Sequence, residues 1–404
     1  MEVQSDKNSE KESQALLIAG IVFVALNLRP ALAGVGPLIG LIRDSTGLSN
    51  SMLGLLTSLP LIAFGIVSNL TPLFTKRYGI SGTLAGALVL LTIGLGIRSL
   101  PSVAALYLGT ALIGVGIAFG NVLIPGLVKR NFPHKSGKIT SLYSSVLGIG
   151  AALAAGISLP MAIDLDWGWR GSLGAWILVA VVGFFVWLPQ VWRIKRTKNT
   201  RSFRQAMRNL GGSKLAWKVA FFMGLQSFAF YTVLAWLPEI LQSRDFTSTQ
   251  SGWMLSLSQV TGILGTLFIP TLAGKQKDQR SIVVWLVVLE VASLAGLLFP
   301  QIGLTTLWVS VIGFALGGSF GLALLFIVLR SDDSDTATEL SGMAQSIGYF
   351  IAAIGPFLIG SIFDFTGSWF YPIVALLVIA FIKLYMGLGA GKNEKLGFGI
   401  NEKV

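Results

Sequence analysis

Cysteine is absent, and histidine occurs once, at position 134. Without thiols the chain can form no disulfide, thiolate nucleophile or thiolate metal site. His134 sits in a basic loop with no second metal-binding side chain beside it, so no metal is expected. Charge is scarce as well, because Asp, Glu, Lys and Arg make up only 12% of 404 residues. No Gly-x-x-x-x-Gly-Lys-Ser/Thr loop occurs, and no polar stretch is long enough to be an ATP-hydrolysing domain. Nucleotide-driven pumping is therefore not expected. Intramembrane catalysis would need a nucleophile–base pair or a metal cluster at depth, and the apolar stretches supply neither. No enzyme activity and no cofactor are expected.

What is abundant is apolar. Hydrophobic residues reach 53%, mean hydropathy is +0.74, and long apolar runs recur along the whole chain. The first is long enough to cross a bilayer at about 1.5 Å per residue. The fold class expected is therefore an all-α membrane protein. Twelve spans fit the runs, the first at Ala15–Leu41, the second at Ser51–Phe74 and the sixth at Ser172–Trp192. The first run follows a polar start and carries no cleavage-site pattern, so it reads as a retained helix.

A net charge of +12 could suggest a nucleic-acid partner, but its distribution argues otherwise. Of 30 Lys and Arg, 24 fall in the tails and in the loops after even-numbered spans. The opposite side holds only Arg43, Arg98, Arg170 and Arg244. This bias places both termini in the cytoplasm by the positive-inside rule. Basic charge here is topology, and no nucleic acid is expected.

Within the first run lies Asn27-Leu28-Arg29-Pro30. Arg29 falls near mid-depth, where a lipid-facing charge costs at least about 2.5 kcal/mol. It must face protein or water. Pro30 has no N–H for the Leu26 carbonyl and pushes that carbonyl aside, so a kink is expected. Two readings follow: a structural arginine tying helices together, or an anchor for an anionic or dipolar solute. Asn27, about 200° around the helix from Arg29, should not share its target.

The chain repeats itself. At offsets of 198 to 201, Pro37 pairs with Pro238, Arg43-Asp44 with Arg244-Asp245, Pro72 with Pro270, Arg130 with Arg330, Ser141 with Ser341, Gly148 with Gly348, Ala152 with Ala352, and Asp164 with Asp364. Two six-helix halves are implied, at 15–192 and 219–388, with tails at 1–14 and 389–404 and a basic linker at 193–218. Within the linker, 204–209 reads as a short surface helix. Parallel repeats of this kind place a binding site between the halves near the midplane. Arg29 pairs with Phe230, and Pro30 with Tyr231, so the shared scaffold does not demand the charge. Closely spaced glycines, such as Gly313, Gly317, Gly318 and Gly321, suit close helix packing.

These stretches resemble the major facilitator superfamily along nearly the whole chain. More narrowly they are similar to its cyanate and 2-nitroimidazole porter branch. The likeness rests on Asn27-Leu28-Arg29-Pro30 with Val35-Gly36-Pro37-Leu38, and on Gly120-Asn121-Val122-Leu123-Ile124-Pro125 through Phe132-Pro133. It rests further on Trp169-Arg170, on Gly224-Leu225-Gln226-Ser227-Phe228 with Tyr231 and Trp236-Leu237-Pro238, and on Ser341-Gly342-Met343-Ala344-Gln345-Ser346 with Gly348-Tyr349. Between spans 2 and 3 the superfamily pattern is degenerate, with Pro72 in place of its leading glycine and Lys76 in place of its acidic residue. The resemblance implies a central cavity opening alternately to either side.

Candidate binding residues are the polar ones inside apolar runs: Arg29, Asn121, Tyr143, Gln226, Tyr231, Gln259, Gln345 and Tyr349. Ser227 and Tyr231 share a helix face, whereas Gln226 is expected on another. Glu290 is the one carboxylate deep inside a span. It reads as a paired or protonated structural group, or else as a proton-coupling group. The expected activity is secondary transport of a small anionic or polar solute, cyanate-like, nitro or carboxylate, anchored by Arg29, with lipid around it and a proton as a candidate co-substrate. The alternatives are efflux of a neutral drug-like compound and a non-transporting receptor. Reporter fusions after Lys198 and at the C-terminus are expected to report the cytoplasm; an outside signal at either point would overturn the helix count.

Overall fold

A computed structural model describes residues 2–132, 135–193, 208, 210–332 and 334–396. His134 and the surface helix expected at 204–209 fall largely outside them, as does most of the linker. All regular structure among the described residues is helical. Among the described residues twelve helices are long and apolar enough to span a membrane. They are span 1 (Gln14–Thr46), span 2 (Asn50–Ser68), span 3 (Leu73–Arg98), span 4 (Val103–Val128), span 5 (Leu142–Ile163), span 6 (Gly168–Trp187), span 7 (Lys214–Gln242), span 8 (Ser248–Ala273), span 9 (Arg280–Leu298), span 10 (Thr305–Leu329), span 11 (Glu339–Thr366) and span 12 (Phe370–Ala390).

Some boundaries move, each for a local reason. Span 6 ends at Trp187 rather than Trp192, because the Leu188-Pro189 turn stops the helix and a separate turn of helix, Gln190–Arg193, follows. Between spans 2 and 3 the helical hydrogen bonding runs on from Asn50 to Arg98, broken by the conformation of Gly79 (φ 72°, ψ 172°). Only glycine adopts that backbone freely, so the kink falls there.

Span 1 is broken rather than merely bent. Its helix ends at Asn27, a turn of helix runs Pro30–Ala33, a 3-10 turn follows at Gly36–Leu38, and Ile39–Thr46 completes the crossing. Broken backbone at membrane depth survives only where protein satisfies it. Arg98 of span 3 does so, donating from Nη1 to the Ala31 carbonyl at 2.7 Å while fully buried. Asn27 donates to Phe23 O at 2.8 Å and across to Val179 O of span 6 at 3.1 Å. Its side chain points away from Arg29's target, as the helical spacing expects.

Packing follows small residues. A Cβ on Gly317 of span 10 would lie 2.0 Å from the Gly262 carbonyl of span 8, so those backbones touch. Large apolar side chains such as Leu178, Phe185, Trp285 and Phe381 stay exposed and form the outer belt. At the ends of spans 10 and 12, Arg330 donates to Ala390 O at 2.8 Å and to Gln279 Oε1, and its own carbonyl accepts from Leu396 N at 2.8 Å.

Glu290 is paired. Its Oε2 accepts from Lys383 Nζ of span 12, and both side chains are buried. The two oppositely charged residues deep in the last spans therefore answer each other. Removing one partner of such a buried pair strands the other charge and typically costs about 3–5 kcal/mol, whereas replacing both with apolar groups is often neutral. Lys383→Met is therefore expected to lower the melting temperature in detergent sharply, and Glu290→Leu combined with Lys383→Met to recover most of the loss. A single variant as stable as the double would overturn this.

Candidate functional site

Between the two six-helix halves lies a cavity of about 170 Å³. All eight candidate residues line it: Arg29 from span 1, Asn121 from span 4, Tyr143 from span 5, Gln226 and Tyr231 from span 7, Gln259 from span 8, and Gln345 and Tyr349 from span 11. Glu290 does not. It sits against Lys383, away from the cavity wall.

Gln226, expected on a helix face apart from Ser227 and Tyr231, lines the same cavity. Gln226, Ser227, Phe230 and Tyr231 all reach the wall, because neighbours about 100° apart can flank one wide cavity. Gln226 Nε2 donates to Ser227 Oγ at 2.6 Å, which leaves its Oε1 buried without a partner. Gln345 Nε2 bonds Ser341 Oγ at 2.9 Å, and Gln259 Nε2 bonds Ser258 Oγ at 3.3 Å.

Arg29 is the only charged residue among those lining the cavity. Its guanidinium carbon stands 5.2 Å from the Phe230 ring centre and 5.7 Å from that of Tyr231. Aromatic faces attract a cation, most strongly where water is scarce. These are its own repeat counterpart and that of Pro30, so two repeat-related turns meet across the middle of the protein. Nη1 is buried with no hydrogen-bond partner. Phe230 is the contact that a search for polar residues passes over. Repeat pairing with Arg29 was the signal that could have found it. Tyr349 packs edge-on to Phe64 at 5.1 Å, which shapes the wall beside the arginine.

The cavity is asymmetric in depth. Pro125, Tyr143, Leu267, Leu324 and Gln345, toward the side of the chain termini, line it, whereas nothing near Arg43, Glu239 or Asp364 does. On that far side the halves are sealed. Arg43 of span 1 is ion-paired with Glu239 of span 7. Asp364 of span 11 accepts from Asn50 N at 2.9 Å, Asn50 Nδ2 at 2.8 Å and Ser51 N at 2.7 Å, at the start of span 2. A helix N-terminus has bare N–H groups and a positive dipole end, which a carboxylate satisfies. Gly36 and Gly54 permit close approach there, since a Cβ on either would run into a carbonyl oxygen of the other half, that of Leu234 or of Pro356. Trp236 Nε1 donates to Pro356 O at 2.9 Å in the same layer.

A family model, the Major Facilitator Superfamily, matches residues 16–356. The chain belongs to that superfamily. Among relatives, it is 43% identical to the uncharacterized transporter YycB of Bacillus subtilis, over 96% of each chain. It is 38% identical to the 2-nitroimidazole transporter of Escherichia coli, over 95% of this chain and 98% of that one. It is 29% identical to the cyanate transport protein CynX of Escherichia coli, over 86% and 90%. A crystal structure of a D-xylose-proton symporter superposes with a TM-score of 0.75 at 16% identity, covering 94% and 99%, which shows the shared fold. The protein is a multi-pass membrane transporter and not an enzyme.

The seal can be probed cleanly because the chain has no native cysteine. Leu38, fully buried on the far side, is changed to Cys as a reporter. Adding Arg43→Gln with Asp364→Asn is expected to speed its reaction with an impermeant maleimide roughly fivefold or more, since the two contacts together contribute on the order of 1 kcal/mol. An unchanged rate would mean that these contacts do not hold the far side shut.

Proposed function

We propose that this transporter carries a small, flat anion or strongly dipolar solute, with Arg29 as its anchor. One observation carries the reading: a buried guanidinium nitrogen with no partner, in a cavity whose other lining side chains are all neutral. A guanidinium can donate paired hydrogen bonds to a carboxylate, nitro group or similar acceptor, which a lysine cannot match. Gln226 Oε1, likewise unpartnered, suits an N–H at the other end of the solute. Asn121 and the tyrosines Tyr143, Tyr231 and Tyr349 supply neutral polar contacts that keep binding weak enough for release.

Size agrees with this. A cavity of about 150 Å³ takes a benzene-sized molecule, so the 170 Å³ here suits a single ring or smaller. Relatives named for 2-nitroimidazole and for cyanate carry compounds of that class. The charge bias of the loops supports a cytoplasmic position for the termini, and with them for the side toward which the cavity lies. Alternating access then swaps this arrangement for one sealed on the cytoplasmic side and open outside.

The test is ligand-induced thermal stabilisation with cyanate, benzoate and 2-nitroimidazole on purified protein. Arg29→Ala is expected to remain monodisperse and lose at least about tenfold in affinity, and Arg29→Lys to keep part of it with altered selectivity. Wild-type affinity in monodisperse Arg29→Ala would remove Arg29 as the anchor. If only 2-nitroimidazole stabilises, and does so in both proteins, carriage of neutral aromatic compounds is the better reading.

A further inference from the structure

We infer that the protein is an anion exchanger, in which entry of one anion is tied to exit of another. The inference rests on Arg29 as the anchor and adds how the cycle closes. Its basis is the charge balance of the cavity. Among the described residues Arg29 is the only charged one on the wall, and no Asp, Glu, Lys or His joins it there. Arginine side chains stay charged in proteins, so the empty cavity holds a positive charge that no proton transfer at the wall can cancel.

The buried carboxylates of Glu290, Glu239 and Glu339 are already engaged, and so is the exposed one of Asp364. Glu290 is held by Lys383, Glu239 by Arg43, and Asp364 by the first turn of span 2, while Glu339 has a partner of its own. None is free to swing in and pair with Arg29. Phe230 and Tyr231 offer ring faces 5.2 and 5.7 Å away, which attract a cation but do not neutralise it.

Alternating access requires the cavity to pass through a state closed on both sides. Loaded with an anion, the closed cavity is compensated. Empty, it must enclose a bare cation in low dielectric, which is strongly unfavourable. The loaded protein therefore changes state readily and the empty one slowly. A carrier with that property exchanges quickly and transports net solute slowly. Exchange moves no net charge, whereas each net transfer of an anion moves one. The cavity wall offers no carboxylate to couple a proton to the return of the empty form.

The experiment uses the full chain in proteoliposomes at pH 8, with labelled benzoate and labelled cyanate outside. Vesicles preloaded with the same unlabelled anion are expected to take up label at least about tenfold faster than unloaded vesicles. A potassium–valinomycin potential is expected to change the unloaded rate and leave the exchange rate alone. Gln226→Glu places a carboxylate in the same cavity. It is expected to bring the unloaded and preloaded rates together, even where binding weakens. Equal rates in the wild type, alongside Arg29-dependent stabilisation by benzoate or cyanate, would overturn exchange and leave the anchor standing. So would an unchanged ratio in Gln226→Glu. No Arg29-dependent stabilisation by either anion would overturn the anchor and exchange together.

Discussion

The structure depends on a single constraint: a charged, broken stretch of helix must be kept at the middle of a membrane without touching lipid. Leu28, Arg29 and Pro30 interrupt span 1 where hydrocarbon tolerates neither a free carbonyl nor a bare cation. The neighbours are arranged around that interruption. Arg98 takes the Ala31 carbonyl, Asn27 reaches span 6, and Phe230 and Tyr231 close over the guanidinium. Even the approach of Gly36 to Leu234 follows, because the chain after the break is left pressed against span 7.

The two halves share an ancestry in sequence but have divided the labour. In the first half the repeat position carries the charge, and in the second it carries the rings that face it. At the far side the ion pair of Arg43 and Glu239 and the carboxylate of Asp364 join one half to the other, while the cavity lies toward the side of the termini. The same helices thus touch each other across the halves at one end and line a cavity toward the other.

Much of this was legible in the sequence, because membrane helices obey few rules. Length and hydropathy gave the twelve spans, and polar residues stranded in apolar runs gave all eight candidates that the cavity gathers. What was not legible depended on contact rather than pattern. Glu290 and Lys383 lie 93 residues apart, and nothing in periodicity joins them. Phe230 looked like any core aromatic until its ring was found beside a guanidinium. Gln226 sits on a different helix face from Ser227 and Tyr231, and that it shares their cavity depends on the cavity's width, which a wheel of helix positions does not carry. The end of span 6 slipped because Pro189 stops the helix before the apolar run itself ends.

The pairing of Glu290 with Lys383 also says something about how the chain is made. Span 9 leaves the ribosome well before span 12, and its glutamate has no counter-charge until the last span arrives. At about 5–20 residues per second, the 93 residues between them take roughly 5–20 s to synthesise. During that interval span 9 carries a buried-site glutamate whose partner has not yet been made. A chain that lacks the final helix leaves Glu290 without the Lys383 ammonium that answers it in the finished protein.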